Sequence, residues 1–194
     1  MKIFLAGATG VLGVRLVPLL VDAGHEVVGM TRSEAKVDAL TALGATPVVC
    51  DVYDVARLER SVVDAAPDLV MHQLTDLPDD ADQIPELGRR NTRIRTEGTD
   101  NLLAAMHAAG TRRILAQSIA WRPNPAAAAA SDHLEAAVLA LDGVVLRYGQ
   151  LYGPDTYFPD PDDLPDDPRV AVDRAATLTV EHLDAPSGVY TVVD

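Results

Sequence analysis

The chain has 194 residues, of which 48% are hydrophobic and only 4% aromatic, a size and composition that suit one domain with a full hydrophobic core of helices and buried strands. Its formal net charge of −13 would repel a nucleic acid backbone or an anionic membrane surface, so we expect neither as a partner. The single cysteine, Cys50, excludes an intramolecular disulfide, and no apolar stretch approaches the length of a membrane span. Because the first predicted strand, 3–6, comes directly after Lys2 and leaves no room for a signal peptide, we expect a cytoplasmic protein.

Short apolar runs alternate along the chain with stretches that have helical spacing. Runs that are continuously apolar indicate strands buried on both faces, and strands that alternate with helices predict right-handed crossovers. The expected fold is therefore an α/β fold with a doubly wound parallel sheet, a Rossmann fold. The predicted strands are 3–6, 26–30, 47–50, 69–72, 113–116, 144–147 and 189–193. The predicted helices are 11–23, 33–43, 56–65, 83–109, 131–141 and 172–183.

A glycine-rich turn separates the first predicted strand from the first predicted helix. Its sequence is Gly7-Ala8-Thr9-Gly10-Val11-Leu12-Gly13. One glycine permits the tight turn, one lets the backbone approach a pyrophosphate and one allows close packing of helix on strand, while the helix N-terminus attracts the phosphates. A glycine pattern alone also fits an ordinary turn, but the strand, turn, helix and second strand together favour binding of a nicotinamide dinucleotide.

The end of the second predicted strand bears on the choice of dinucleotide. An acidic residue there usually binds the ribose 2′-hydroxyl of NAD, whereas this strand ends in Thr31, Arg32 and Ser33. Hydrogen-bond donors and a positive charge suit the 2′-phosphate of NADP, which we therefore favour over NAD. The alternative is that Arg32 is a surface residue at the start of a helix.

The final quarter of the chain departs from the regular alternation. A segment rich in proline and aspartate follows Arg147 and extends to Pro168, and it is predicted to be a loop, with a lid as one interpretation. The last helix and the last strand come after it. We expect one Rossmann-type domain over residues 1–194, with a small substrate-side segment at 148–194.

Four segments of the chain match the motifs of one superfamily. They are Gly7-Ala8-Thr9-Gly10-Val11-Leu12-Gly13, Asp51-Val52, Gly98-Thr99-Asp100-Asn101-Leu102-Leu103 and Leu146-Arg147-Tyr148-Gly149-Gln150-Leu151-Tyr152-Gly153-Pro154. Together they resemble the extended and atypical short-chain dehydrogenases/reductases, in particular the NAD-dependent epimerases/dehydratases. The resemblance implies that Asp51, with Val52 beside it, approaches the adenine amino group, and that His72-Gln73-Leu74 line the cofactor's ribose. A simple turn role for Asp51 remains equally open.

The catalytic positions of the superfamily are altered in this chain. The Tyr-x-x-x-Lys pair that transfers the proton in that superfamily is missing, because no lysine follows Lys36. When Glu135 is placed on the superfamily's helical glutamate, Ala127 and Ser131 fall at the tyrosine and lysine positions. The superfamily's helical asparagine is Arg95 here.

Three residues are candidates for the missing proton chemistry. Ser118 lies near the superfamily's catalytic serine, although its sequence neighbours include no base and a turn-capping role is the alternative. His72 ends the fourth strand at the switch point and is able to position a carbonyl or exchange a proton, or else it is structural. Tyr152 is the best substitute proton donor, with core packing of its ring as the alternative.

The substrate side and the partners follow from the same comparison. Gln117, Trp121 and Tyr148 are expected beside the substrate, with packing as the alternative role of Trp121. The superfamily's C-terminal substrate module is reduced here, which predicts a shallow pocket or one completed by a second copy of the chain, so a homo-oligomer is possible. No His, Cys or Asp spacing fits a metal site, and we expect none.

These patterns favour an NADP(H)-dependent oxidoreductase that transfers hydride to or from a small carbonyl or hydroxyl compound. Two alternatives remain open. One is a dinucleotide-binding sensor or scaffold without turnover, which the missing Tyr-Lys pair favours. The other is a non-redox isomerase or lyase on the same fold.

Overall fold

A parallel sheet of seven strands forms the centre of the computed structural model, which describes residues 1–78 and 80–194. The strands of the described residues are β1 (Lys2–Ala6), β2 (Glu26–Thr31), β3 (Thr46–Val49), β4 (Leu69–His72), β5 (Arg113–Ile119), β6 (Val144–Tyr148), β7 (Gln150–Tyr152), β8 (Arg169–Ala171) and β9 (Gly188–Val192). The order in the main sheet is β3-β2-β1-β4-β5-β6-β9, and every neighbouring pair is parallel. The predicted doubly wound Rossmann fold is thereby confirmed.

Helices connect the strands and cover both faces of the sheet. They are α1 (Gly13–Asp22), α2 (Val37–Ala42), α3 (Val55–Ala65), α4 (Ile84–Arg93), α5 (Thr99–Ala108), α6 (Pro125–Leu139) and α7 (Val172–Glu181). The predicted helix 83–109 is divided by a π-helical turn at Ile94–Gly98. Helix α6 starts earlier than predicted, because Asn124 caps its first turn by accepting a hydrogen bond from the Ala127 N–H (3.0 Å) and the alanines that follow carry no amphipathic pattern.

The residues of β1 show how the two layers of the core are divided. Ile3 and Leu5 point into the layer that contains α1 and α7, while Phe4 and Ala6 point into the layer that contains α3 and α5. All four side chains are completely buried. Successive side chains of β1 therefore point into two apolar layers on opposite faces of the sheet, as its continuously apolar sequence predicts.

The segment predicted to be a loop contains regular structure. Strands β7 and β8 form a separate two-stranded sheet in which Gln150 is opposite Arg169, and β9 joins the main sheet beside β6. The prediction of a loop over 148–168 was wrong at β7, because a strand of three residues has no readable pattern and depends on a partner far along the chain.

Membrane spans and metal clusters are both missing from residues 1–78 and 80–194. No helix in that part of the chain combines the length and the apolar character needed to cross a membrane. Nor do three or more His, Cys, Asp or Glu side chains come together there as ligands for a metal ion.

Candidate cofactor and substrate site

The order of the strands reverses at β1, which lies between β2 and β4. In doubly wound sheets such a reversal opens a crevice beyond the carboxyl ends of the strands, where ligands bind. The glycine turn follows β1 at this point, between the carboxyl ends of β2 and β4, and the ends of β5 and β6 follow along the same edge. The topology therefore brings the predicted cofactor and substrate residues to one edge of the sheet.

The three glycines of the turn differ in what surrounds them. Gly7 has φ +96°, and a Cβ there would lie 2.5 Å from the carbonyl oxygen of Gln73. A Cβ at Gly13 would lie 2.2 Å from the carbonyl oxygen of Gly7. At Gly10, by contrast, the nearest atom would be 3.4 Å away, an ordinary contact. Packing thus favours glycine at positions 7 and 13, whereas Gly10 is exposed and a Cβ there would meet no clash.

The residues between the glycines fix the turn to the sheet. Ala8 and Leu12 are buried in the core. The hydroxyls of Thr9 and Thr31 are 3.1 Å apart, and Thr31 also accepts a hydrogen bond from the Ser33 N–H (3.2 Å). Thr31 is therefore occupied in joining the turn to β2, and Arg32 is the residue of this strand end with a half-exposed side chain.

A buried carboxylate connects Arg32 to a second arginine. Asp76 lies in the connection after β4, and its side chain is 8% exposed. Arg32 donates to its Oδ1 at 3.2 Å, while Arg90 on α4 donates to Oδ1 at 2.7 Å and to Oδ2 at 3.3 Å. Sequence analysis missed Asp76 and Arg90, because Asp76 is 44 residues from Arg32 and 14 from Arg90, and the three meet only through the tertiary fold.

Asp51 and Val52, the residues predicted to lie beside the adenine, form a turn that α5 supports through Asn101. Asp51 Oδ1 accepts a hydrogen bond from the Tyr53 N–H (2.9 Å), which is the turn role left open above. Asn101 Nδ2 donates to the carbonyl oxygen of Val52 (3.1 Å). The contact of Asp51 with adenine stays a prediction.

His72 is completely buried. Its Nδ1 accepts a hydrogen bond from the Leu74 N–H (3.3 Å), and its Nε2 is 3.0 Å from Thr99 Oγ1, which itself donates to the carbonyl oxygen of Arg95 (2.8 Å). These bonds require the neutral ring with its proton on Nε2. Burial, reinforced by the charge of Arg95, lowers the pKa of His72 to about 4. The geometry therefore gives this histidine a structural task.

Side chains of β5 and β6 hydrogen-bond to the two residues that follow β4. Gln117 donates to the carbonyl oxygen of Leu74 (3.0 Å), and Gln73 Nε2 donates to Tyr148 Oη (3.4 Å). Tyr148 is also 2.6 Å from Thr179 Oγ1 on α7, and burial raises the pKa of Tyr148 to about 12. Tyr148 is thus held inside the protein as a neutral phenol. Gln73 Oε1 is buried and has no partner in the described residues, so it remains able to accept a hydrogen bond from a ligand.

Ser118 has a carboxylate neighbour that the sequence analysis did not find. Its hydroxyl donates to Glu135 Oε1 (2.6 Å), and Arg147 donates to both oxygens of the same carboxylate (2.9 and 2.5 Å). Burial would raise the pKa of Glu135, but the hydrogen bonds from Arg147 and Ser118 outweigh it and lower that pKa. Because Ser118 is 1% exposed, this hydroxyl is directed to Glu135 and away from solvent.

The two altered helical positions meet in the fold. Arg95 is 5% exposed, and its Nη1 donates to Ser131 Oγ (3.0 Å). Burial lowers the pKa of Arg95 to about 10, and the charge of Glu135 opposes that shift, so the guanidinium stays protonated at neutral pH. A buried positive charge therefore lies against the residue that the resemblance places at the lysine position.

Tyr152 and Trp121 retain solvent-exposed surface. Tyr152 Oη donates to Asp194 Oδ2 (2.7 Å), and this hydrogen bond raises the pKa of Tyr152. Trp121 is half-buried between β5 and α6. The hydrogen bonds of the described residues do not join Tyr152 to Ser118 or His72. The three predicted catalytic groups are thus held in separate networks.

Comparison with known proteins is consistent with this geometry. A family model described as NAD(P)H-binding matches residues 7–152. A 3-diazoavenalumate denitrifying reductase from a Streptomyces species is 38% identical over 180 residues, covering 80% of this chain and 58% of that protein. A decarboxylating sterol-4-alpha-carboxylate 3-dehydrogenase from Dictyostelium discoideum is 30% identical over 90 residues, covering 46% of this chain and 27% of that protein. This chain thus spans less than two thirds of either relative.

A solved structure shares the fold over the whole chain. The UDP-glucose 4-epimerase of Thermus thermophilus, determined as a complex with NAD, has a TM-score of 0.80 and 20% identity. The match covers 100% of this chain and 78% of the epimerase. At that identity the likeness shows the Rossmann architecture and nothing about the substrate.

Proposed function

The chain belongs to the NAD(P)H-binding family, and from this premise we propose that it is an NADP(H)-dependent oxidoreductase of the atypical short-chain type, acting on a small carbonyl or hydroxyl compound. The observation that carries the proposal is the glycine turn at the switch point, where Gly10 leaves open the space that a pyrophosphate needs. The two relatives, a reductase and a dehydrogenase, support hydride chemistry.

The residues at the crevice fit such a cofactor. Backbone N–H groups at the start of α1 would hold the pyrophosphate, because the first turn of a helix leaves its amides without partners in the helix. The N–H groups of Ala8 and Gly10 already donate to the carbonyl oxygens of Met30 and Gly7. Arg32 would bind the 2′-phosphate and Asp51 the adenine. Gln73, with its buried acceptor, and Leu74 would line a ribose. When bound in its reduced form, the dinucleotide supplies a hydride.

The charges and hydroxyls of the chain define what it contributes to the reaction. Arg95 keeps a positive charge against Ser131, the residue at the superfamily's lysine position, and this charge would favour negative charge that develops on a substrate oxygen. Tyr152 remains protonated at neutral pH and is the proposed proton donor. Ser118 and His72 hold the frame of the site through Glu135 and Thr99. Gln117 and Trp121 form the proposed substrate side.

A non-catalytic sensor that binds a dinucleotide is the second candidate. It is favoured by the finding that Ser118, His72 and Tyr152 each hydrogen-bond to another group of the protein. In this case ligand binding would alter shape or assembly without turnover.

Fluorescence of Trp121, the single tryptophan, tests cofactor binding. We expect NADPH to change its emission at micromolar concentrations and NADH to do so only at higher ones. Consumption of NADPH is then followed by absorbance with a panel of ketones, aldehydes and quinones, together with a diazo compound because of the reductase relative. Binding without consumption in any reaction would favour the sensor, and absence of binding by either dinucleotide would refute both candidates in favour of a non-redox isomerase or lyase.

A tyrosine variant tests the proton donor once a substrate is known. Tyr152→Phe should lower kcat at least about tenfold while leaving NADPH affinity unchanged, because the phenol acts on the substrate and not on the cofactor. Tyr190→Phe is the matched control, since the Tyr190 hydroxyl donates to the carbonyl oxygen of Pro186 at the other end of the sheet. Equal kcat values for Tyr152→Phe and the unaltered chain would remove Tyr152 from the mechanism.

A further inference from the structure

We propose that Arg90 acts together with Arg32 as a two-arginine site for the 2′-phosphate of the cofactor, so that selection of NADP over NAD depends on two elements far apart in sequence. The inference rests on the proposed dinucleotide binding and extends it to a residue for which the sequence offered no indication. Arg90 lies on α4, beyond the connection that follows β4, whereas Arg32 follows the last residue of β2.

The first support is that both guanidinium groups reach one atom. Arg32 Nη2 and Arg90 Nη2 donate to the same Oδ1 of Asp76, at 3.2 and 2.7 Å. Two positive groups would repel each other without that carboxylate between them. Asp76 is fixed in turn, because its side chain is buried and its N–H donates to Oδ1 of Asn91, the residue after Arg90 (3.1 Å). The pair is thus held in position before any ligand arrives.

The second support is the charge and exposure of the pair. Two arginines and one aspartate leave one net positive charge, in a chain whose net charge is −13. The side chains of Arg32 and Arg90 are 47% and 50% exposed, so both are accessible to solvent. The positive patch is therefore local and open to a ligand, while the surface as a whole is acidic.

The third support is the number of donors that remain. A guanidinium carries five N–H donors in a planar fork. Asp76 takes one donor from Arg32 and two from Arg90, which leaves further N–H groups on each. A phosphate monoester has three acceptor oxygens and close to two negative charges at neutral pH, and it suits two forks better than one. NAD has a neutral 2′-hydroxyl in place of this phosphate, so it gains no charge interaction with the two arginines.

Two nucleotides that differ in a single group test the proposal. Adenosine 2′,5′-bisphosphate and 5′-AMP share the adenosine and the 5′-phosphate, so the ratio of their Kd values, measured by calorimetry, isolates the 2′-phosphate. We expect the bisphosphate to bind more tightly. Arg90→Ala should weaken the bisphosphate about tenfold, which equals about 1.4 kcal/mol, and leave 5′-AMP unchanged.

Arg89→Ala is the matched control. It removes the same charge from the same helix one residue earlier, at an exposed position, and should change neither Kd. Arg90→Lys keeps the charge but not the fork, so an intermediate loss is expected. Thermal unfolding of each variant shows whether the fold is kept, and Arg90→Lys still tests the proposal if the alanine variant does not fold.

The outcomes separate this inference from the function on which it rests. If neither nucleotide binds the unaltered chain, dinucleotide binding itself fails, and the two-arginine site with it. If both bind equally, NADP selection is refuted. If Arg32→Ala weakens the bisphosphate selectively but Arg90→Ala does not, Arg32 acts alone and the role of Arg90 is overturned. Equal losses for the Arg89 and Arg90 variants would indicate general electrostatic attraction and would overturn the site.

Discussion

Arg95 is a buried cation whose side-chain partner is a hydroxyl. Its Nη1 contacts Ser131, and its charge also acts on Glu135 and on His72. Isolated charges are costly to bury, so such a group is retained where nearby acceptors and a carboxylate compensate it. In the sequence, Arg95 and Ser131 are two separate differences from the superfamily. In the structure they hydrogen-bond to each other, so a positive charge is kept beside the lysine position although the lysine is missing.

The buried His72 makes stability depend on pH. The unfolded chain binds a proton at this residue below its ordinary pKa of 6.5, whereas the folded chain does so only near pH 4. The unfolded state therefore holds more protons in this window, and the free energy of unfolding decreases as the pH falls from about 6.5 to about 4. The loss attributable to His72 should approach about 1.4 kcal/mol per pH unit.

Urea unfolding across that pH range measures this loss, with His72→Gln as the comparison. Glutamine does not titrate, and the other histidines contribute equally to both proteins. The unfolding free energy of His72→Gln should therefore decrease less steeply as the pH falls, and the difference in slope should correspond to about one proton. Parallel pH profiles for the two proteins would mean that His72 is not neutral and buried.

The strand-turn-helix element at residues 2–22 contains two glycines for which we predict different roles, Gly13 in folding and Gly10 in cofactor binding. Gly13→Ala places a Cβ against backbone atoms of Gly7 and Ala8, so the unfolding free energy should fall by about 1–3 kcal/mol. Gly10→Ala makes only ordinary contacts, so the midpoint of thermal unfolding should hardly change. Its methyl group would enter the pyrophosphate space, however, and NADPH affinity should fall at least about tenfold.

Gly88→Ala provides the control for this pair. A Cβ at Gly88 on α4 meets nothing within 4 Å, so alanine there should raise stability by about 0.5–1 kcal/mol and leave NADPH binding unchanged. Thermal unfolding and Trp121 fluorescence give both quantities for all three variants. If Gly10→Ala binds NADPH as tightly as Gly88→Ala does, the pyrophosphate does not lie above Gly10.

At the scale of the whole molecule, hydrogen bonds and apolar packing connect the C-terminal segment to α1. Arg15 on α1 donates to Asp173 Oδ1 (2.6 Å) and to the carbonyl oxygen of Pro154 (2.8 Å), and α7 packs on α1 through Ala175 and Ala176. Residues 153–176 are therefore packed against the helix that follows the glycine turn. Their position depends on the helix that starts at that turn.

Arg15→Met should loosen this connection because it removes the guanidinium hydrogen bonds and keeps a similar apolar stem. We expect the unfolding free energy to fall by about 1–2 kcal/mol and amide hydrogen exchange to accelerate in residues 153–158. Arg174→Met is the control, since Arg174 is 57% exposed and its ion pair with Asp194 spans 3.7 Å. Equal exchange rates in the two variants would show that Arg15 does not hold the segment.

Local patterns in the sequence determined the α/β class, all seven strands of the main sheet and the glycine turn, because buried strands, helical spacing and positive-φ glycines leave their mark on neighbouring residues. Tertiary structure decided the rest. Several contacts join residues from distant segments. They are the short pairing of β7 with β8, the link that Asp76 makes between Arg32 and Arg90, and the contacts of Ser118 with Glu135 and of Arg95 with Ser131. Such contacts depend on how elements pack, and no local periodicity encodes them.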